Sequence, residues 1–207
     1  LPTITRLGFD VRSRTEGWKR LDEYDQRDQV VVITGATSGL GLAAARQMAA
    51  NGATLVLVGR DPAKTDRVRD EVAEASGNEW VESVVADLSE LDAVEAAAAA
   101  IAGAHDRVDV LVHNAGALDA QRTETSAGIE RTVAAQVVGP FLLTARLLDR
   151  LGGDPDDADG AHAAPSRVLT MSSGGMYSAT LDVDHLEMDT DHYNGTEQYA
   201  RAKRAQV

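Results

Sequence analysis

The chain has 207 residues, 43% of them hydrophobic, enough to bury the core of one sizeable domain and too many for a disordered protein. It contains no cysteine, which excludes a disulfide scaffold, a thiol nucleophile and a cysteine-ligated zinc site. A net charge of −13 argues against a nucleic-acid or anionic-membrane surface, and no apolar run reaches membrane-spanning length.

The first residues carry no signal-peptide core, and the lack of cysteine suits a cytoplasmic protein. Residues 1–28 are polar and mixed; they are expected to form an extension packed loosely on the domain, with Phe9 and Trp18 as its apolar anchors. From residue 29 the pattern becomes regular. Val30 to Ile33 is a continuous β-branched run, as in a strand buried on both faces of a parallel sheet. A Gly-rich turn follows, then an Ala-rich helix from about Leu40 to Ala50 that Asn51-Gly52 stops. Thr54 to Val58 is a second strand, and Asp61-Pro62 reads as the N-cap and first-turn proline of a helix through about Ala75. Val81 to Val85 is a third strand. Ser89 to Asp92 has capping-box spacing ahead of an Ala-rich helix to about Ala102. Val108 to His113 is a fourth strand, and Ile129 to about Leu151 is expected to be one long helix. Residues 152–165 form a polar Gly/Pro/Asp loop whose carboxylates miss EF-hand spacing, and Arg167 to Met171 is a fifth strand. Strands alternating with helices predict an α/β fold for residues 29–207: a doubly wound parallel sheet in three α/β/α layers, the Rossmann arrangement.

Chemistry-bearing residues stand at the ends of the expected strands. Thr34 to Gly41 has the spacing TGxxxGxG on a strand–turn–helix. Such a turn lets backbone approach a pyrophosphate at the positive end of a helix, making Gly35, Thr37, Ser38, Gly39, Leu40 and Gly41 the candidate contacts. The second strand ends in Gly59-Arg60, with no carboxylate placed for ribose hydroxyls. An arginine there pairs with a 2′-phosphate, so NADP(H) is expected over NAD(H); Asp61 is a better helix cap than a ribose ligand. Asp87-Leu88 follows the third strand, where Asp87 could bind a ligand or cap the next helix. Tyr199 and Lys203 share one helix face at i, i+4, and Ser172-Ser173 closes the fifth strand 26 positions before Tyr199.

The TGxxxGxG turn, the strand-end serine and YxxxK, in that chain order, resemble the short-chain dehydrogenase/reductase family. The resemblance covers about residues 25–207. It is nearer to the group of dehydrogenase/reductase family member 12, and more distant from the retinol dehydrogenases. It implies that Asp87 hydrogen-bonds the adenine amino group and that Leu88 adds a backbone contact. His113-Asn114-Ala115-Gly116 is similar to the family's NNAG, in which Asn114 steadies the sheet and Gly116 lets the nicotinamide ribose come close. His113, in place of the first Asn, is expected to be buried and hydrogen-bonded rather than a base. Tyr199 is implied as general acid/base, Lys203 as the ammonium that favours its phenolate and holds the ribose hydroxyls, and Ser173 as the donor to the substrate oxygen. Gln136 stands where the family has an Asn that supports a water-mediated proton path; its extra methylene is a departure. The resemblance implies an oxidoreductase acting on a small-molecule, lipophilic alcohol or carbonyl, working as a homo-oligomer, with no metal. The alternative is an NADP(H)-binding regulatory protein with weak catalysis, which Gln136 favours. Family members continue beyond the catalytic helix, so the chain is expected to be part of a longer polypeptide, with its fifth strand an exposed edge.

Overall fold

A computed structural model describes residues 6–152 and 165–207. Its centre is a parallel sheet of β1 (Val30–Thr34), β2 (Thr54–Gly59), β3 (Val81–Val85), β4 (Val110–His113) and β5 (Arg167–Thr170), in the order β3-β2-β1-β4-β5. β1, β2 and β4 are buried because both faces of the middle of the sheet are covered, and alternate residues go to opposite sides. Val31, Ile33, Leu55 and Leu57 pack under α2 (Gly39–Ala50) and α3 (Pro62–Ser76), meeting Ala45, Ala49, Val68 and Val72. Val32, Val56, Val58 and Leu111 meet Val94, Ala97, Ala98 and Ile101 of α4 (Leu91–Ala104) on the other face, with Leu143 and Leu147. Alanine on the inner helix faces lets the helices lie close to the sheet, so few aromatic residues are needed to fill the core. At the lower end, Asp109 accepts a hydrogen bond from Val30 N (2.8 Å) and pairs with Arg107 (2.6 Å), which fixes β4 beside β1.

The three-layer doubly wound architecture is as the sequence predicts, and three local details differ. The helix expected from Ile129 to Leu151 is interrupted. A short α5 (Arg131–Val133) leads into a π-helical turn at Ala134–Val138, then α6 (Gly139–Arg146) and a 3-10 turn at Leu148–Arg150. A π turn accommodates an extra residue in the helical ladder, a change that hydrophobic periodicity does not register. Ser89 does not cap α4. Glu90 occupies the N-cap without a side-chain bond, and the Ser89 hydroxyl donates to Asp87 instead (2.7 Å). In the N-terminal extension, α1 (Arg6–Thr15) was not expected, and its aromatic anchors serve each other. Phe9 and Trp18 make an edge-on contact at 5.5 Å while staying 55% and 43% exposed. Among the bonds that join this extension to the domain, Gln26 N donates to Asn51 O and Gln47 Nε2 donates to Leu21 O. As expected, β5 forms one edge of the sheet, with all four residues exposed. Most of the polar loop expected at 152–165 lies outside the described residues. Among the described residues, no helix is long and apolar enough to cross a membrane.

His113 ends β4 with 3% of its surface exposed. Thr144 Oγ1 donates to Pro140 O (2.9 Å), so the 2.7 Å contact between His113 Nε2 and Thr144 Oγ1 assigns the ring hydrogen to Nε2. Burial pushes the His113 pKa from 6.5 down to about 4. Between those values the unfolded chain takes up a proton that the folded chain refuses, so stability falls as pH falls through this window, by up to about 1.4 kcal/mol per pH unit. Replacing His113 with Asn is expected to flatten the dependence of the urea midpoint on pH between 6.5 and 4. The same steepness in wild type and variant would contradict the account.

Candidate active site

The carboxyl ends of the strands converge on one rim of the sheet, where an open α/β fold binds its ligands. Two ends are tied together. Asn114, just past β4, donates through Nδ2 to Thr34 O (3.1 Å) and Gly35 O (3.2 Å). Thr34 Oγ1 accepts from Asn114 N and Ala115 N, both at 3.1 Å, and donates to Val112 O at 3.2 Å. The glycines of the following turn divide their work. Gly35 has φ +65°, and a methyl there would stand 2.7 Å from Ala115 Cα; one at Gly41 would stand 2.4 Å from both Gly35 O and Asn114 Nδ2. These two glycines let the turn close onto the β4 end. Gly39 (φ +55°) has nothing within 4 Å of that position, which leaves its backbone open to the rim. Ser38 is the N-cap of α2 and makes no side-chain capping bond, so the first N–H groups of that helix are open to an anion.

A cleft of about 410 Å³ runs along this rim. Of the residues expected to hold a cofactor, Gly35, Thr37, Ser38, Leu40, Arg60, Asp87, Leu88, Asn114, Ala115 and Gly116 line it. Gly39 stands outside its lining, and Gly41 is buried behind the turn. Lys64 also lines the cleft and was missed in the sequence. Its signal is a cation in the first turn of α3, which holds no acid, where a helix dipole ordinarily favours anions. Asp61 is committed to capping α3, accepting from Lys64 N at 2.7 Å, as the sequence predicts. Burial pushes the Asp87 carboxyl up, but hydrogen bonds from Ser89 and then the charges of Arg131 and Arg60 outweigh it, and its pKa is lowered. Asp87 is therefore a firm carboxylate on a rim that otherwise carries Arg60 and Lys64.

A second group of side chains gathers at the Gly116 end. α7 (Gly195–Ala205) is capped by Asn194, which accepts from Thr196 N and Glu197 N at 3.0 and 3.1 Å. The helix presents Tyr199 and Lys203 on one face, with Lys203 Nζ 5.8 Å from the Tyr199 ring centre. Lys203 is 3% exposed and donates to Met171 O at 2.8 Å; burial pushes its pKa down. A methyl at Gly116 would lie 3.7 Å from Lys203 Nζ and 3.8 Å from Gln136 Oε1. One at Gly175 would lie 3.5 Å from Ser173 Oγ and 3.8 Å from the Tyr199 ring. Ser173, Tyr199, Lys203 and Gln136 thus come together, although 67 residues separate the first from the last in sequence. Ser173 Oγ accepts from Gly175 N (3.2 Å), which leaves its own hydrogen for another acceptor. Ser172 is turned to Met176 (3.0 Å to Sδ). Gln136 sits in the π turn, fully buried; its Nε2 donates to Ala117 O at 2.8 Å and its Oε1 has no partner among the described residues.

The family model described as short chain dehydrogenase matches residues 29–174. Human dehydrogenase/reductase SDR family member 12 is 34% identical over 86% of this chain and 53% of its own length. Human retinol dehydrogenase 13 is 31% identical over 86% of this chain and 51% of its own length. The chain thus spans about half the length of these relatives. A solved structure from Mycobacterium paratuberculosis superposes with a TM-score of 0.73 at 28% identity, covering 89% of this chain and 61% of that one. The matched segment holds the glycine turn, the β4 end and the strand-end serine, and the longer alignments extend beyond it: the chain belongs to the short-chain dehydrogenase family.

Proposed function

We propose that this chain binds NADP(H) in preference to NAD(H), and that it carries the proton-transfer residues of an enzyme interconverting an alcohol with a ketone or aldehyde. The observation that carries the reading is the meeting of Ser173 and Tyr199 beside Gly175 with Lys203 beside Gly116, at one end of a cleft that also holds Arg60 and Lys64. The lining supports a dinucleotide: the open N-terminus of α2 suits its pyrophosphate, and the two cations suit a 2′-phosphate. The name of retinol dehydrogenase 13 adds an alcohol–aldehyde couple to the support, and suggests a lipophilic substrate.

When bound, the nicotinamide supplies or accepts the hydride. The protein's own task is then to handle one proton and one developing negative charge. In the carbonyl-reducing direction, the Ser173 hydroxyl donates to the substrate oxygen and stabilises the charge that gathers there. The Tyr199 hydroxyl gives its proton to the same oxygen, and the nearby Lys203 ammonium stabilises the phenolate that remains. Met171 O holds Lys203 Nζ in place close to Gly116, and the two remaining ammonium hydrogens are available to ribose hydroxyls there. Gln136 offers its unpartnered Oε1 to this same region, as an acceptor for the proton path. The longer amide is held by Ala117 O from a π turn, and its reach differs from that of the family's Asn by one methylene.

Two measurements test this reading. Tyr199→Phe should lower kcat for carbonyl reduction by about 10²–10⁴-fold while leaving the Kd for NADPH within about twofold. Turnover equal to wild type would contradict the role of Tyr199; tight NADPH binding without turnover by wild type, over broad alcohol and carbonyl panels, would favour a regulatory protein instead. Arg60→Ala should weaken NADPH by about tenfold or more and NADH by much less, with a smaller loss of the same kind in Lys64→Ala. Equal losses for the two dinucleotides would contradict the assignment of the 2′-phosphate to this corner.

A further inference from the structure

We propose that Arg131 is a positioning residue that orients the Asp87 carboxylate so that the cleft selects a purine carrying an exocyclic amino group. The inference rests on the dinucleotide reading above and concerns its adenine end. Arg131 opens α5 and lies 44 residues from Asp87 in sequence, yet its Nη2 reaches Asp87 Oδ2 at 3.2 Å. The other carboxylate oxygen is already engaged: Oδ1 accepts from Ser89 N at 3.0 Å and from Ser89 Oγ at 2.7 Å.

A carboxylate offers about four acceptor positions, two on each oxygen. Three are filled, so Asp87, which lines the cleft, has room for one more donor, on Oδ2. An amino N–H satisfies that position. A carbonyl oxygen brought to the same place meets a carboxylate oxygen with no hydrogen between them, which costs as much as leaving a charged acceptor unpaired. The discrimination depends on Oδ2 being held in one direction, and Arg131 is built to hold it. Its backbone N donates to Thr123 O at 2.9 Å, and the preceding Glu130 is buried, accepting from Val133 N at 2.9 Å and from Tyr193 Oη at 3.0 Å. The guanidinium therefore extends from a fixed helix start, and the pair ties the end of β3 to the helix that carries Gln136. With side chains 38% and 32% exposed, the contact is a half-buried one whose worth lies in direction more than in stability.

Loss of Arg131 would also make the cleft more negative and weaken every anionic ligand. Overall affinity is therefore a poor readout, and the ratio between two ligands of equal charge is the informative one. The full-length protein is titrated with NADPH and with the reduced hypoxanthine analogue of NADP, in which a carbonyl replaces the adenine amino group. Wild type is expected to prefer NADPH by about tenfold or more, and Arg131→Met to cut that preference by about threefold or more. Arg131→Lys, which keeps a cationic donor, is expected to restore it to within about twofold of wild type. If Arg131→Met does not fold, Arg131→Gln serves the same comparison with the same expected loss. An unchanged preference in the Met or Gln variant, with both affinities falling together, would overturn the proposal. Equal, tight binding of both dinucleotides by wild type would overturn it while leaving the dinucleotide reading intact; failure to bind either would remove both.

Discussion

The site depends on a small set of hydrogen bonds that close the end of β1 onto the end of β4. A parallel sheet leaves its strand ends as loops that twist gives no reason to converge, and here Asn114 and Thr34 supply the reason. The amide of Asn114 holds Thr34 O and Gly35 O, while the Thr34 hydroxyl takes the next two backbone N–H groups of the β4 loop. Thr34 is fully buried, so these polar groups satisfy one another away from water, and breaking one leaves its partners stranded. The glycine turn then packs on Ala115 and Asn114, which aims the N-terminus of α2 along the rim. The glycine turn, the start of α2 and the loop after β4 take their places from this junction.

From the junction outward, the site has two chemically different ends. One is cationic and open, with Arg60 and Lys64 above a capped helix start and with Asp87 held between Ser89 and Arg131. The other is half-buried and polar, with Lys203 and Gln136 sunk below the surface beside Gly116. Burial weakens the hold of Lys203 on its own proton, and the Met171 carbonyl keeps the group directed. An elongated ligand with charge at one end and a reactive ring at the other matches this division, as the family assignment leads one to expect.

Much of this was legible in the sequence because it rests on local rules. Apolar runs marked the three buried strands β1, β2 and β4, Asp61-Pro62 marked a cap that the structure places as expected, and i, i+4 spacing put Tyr199 with Lys203. What escaped was decided by tertiary partners. Ser89 has capping-box spacing, but a carboxylate two residues earlier competes for its hydroxyl. The π turn around Gln136 leaves no mark on hydrophobic period, because buried residues stand on both sides of it. Arg131 is an ordinary arginine until the chain brings it to Asp87, and Lys64 is notable only against the dipole of the helix it opens. Phe9 and Trp18 looked like anchors because apolar residues in a polar stretch seek cover, and they found it in each other.

The central claim is that the rim between the glycine turn and Gly116 is a dinucleotide site. Crystallising the full-length protein with NADPH at saturating concentration tests it most directly. The account predicts density for one dinucleotide lying along the cleft, with the pyrophosphate at the start of α2, the 2′-phosphate between Arg60 and Lys64, and the nicotinamide ribose between Gly116 and Lys203. An empty cleft, or a nucleotide bound elsewhere on the protein, would contradict it.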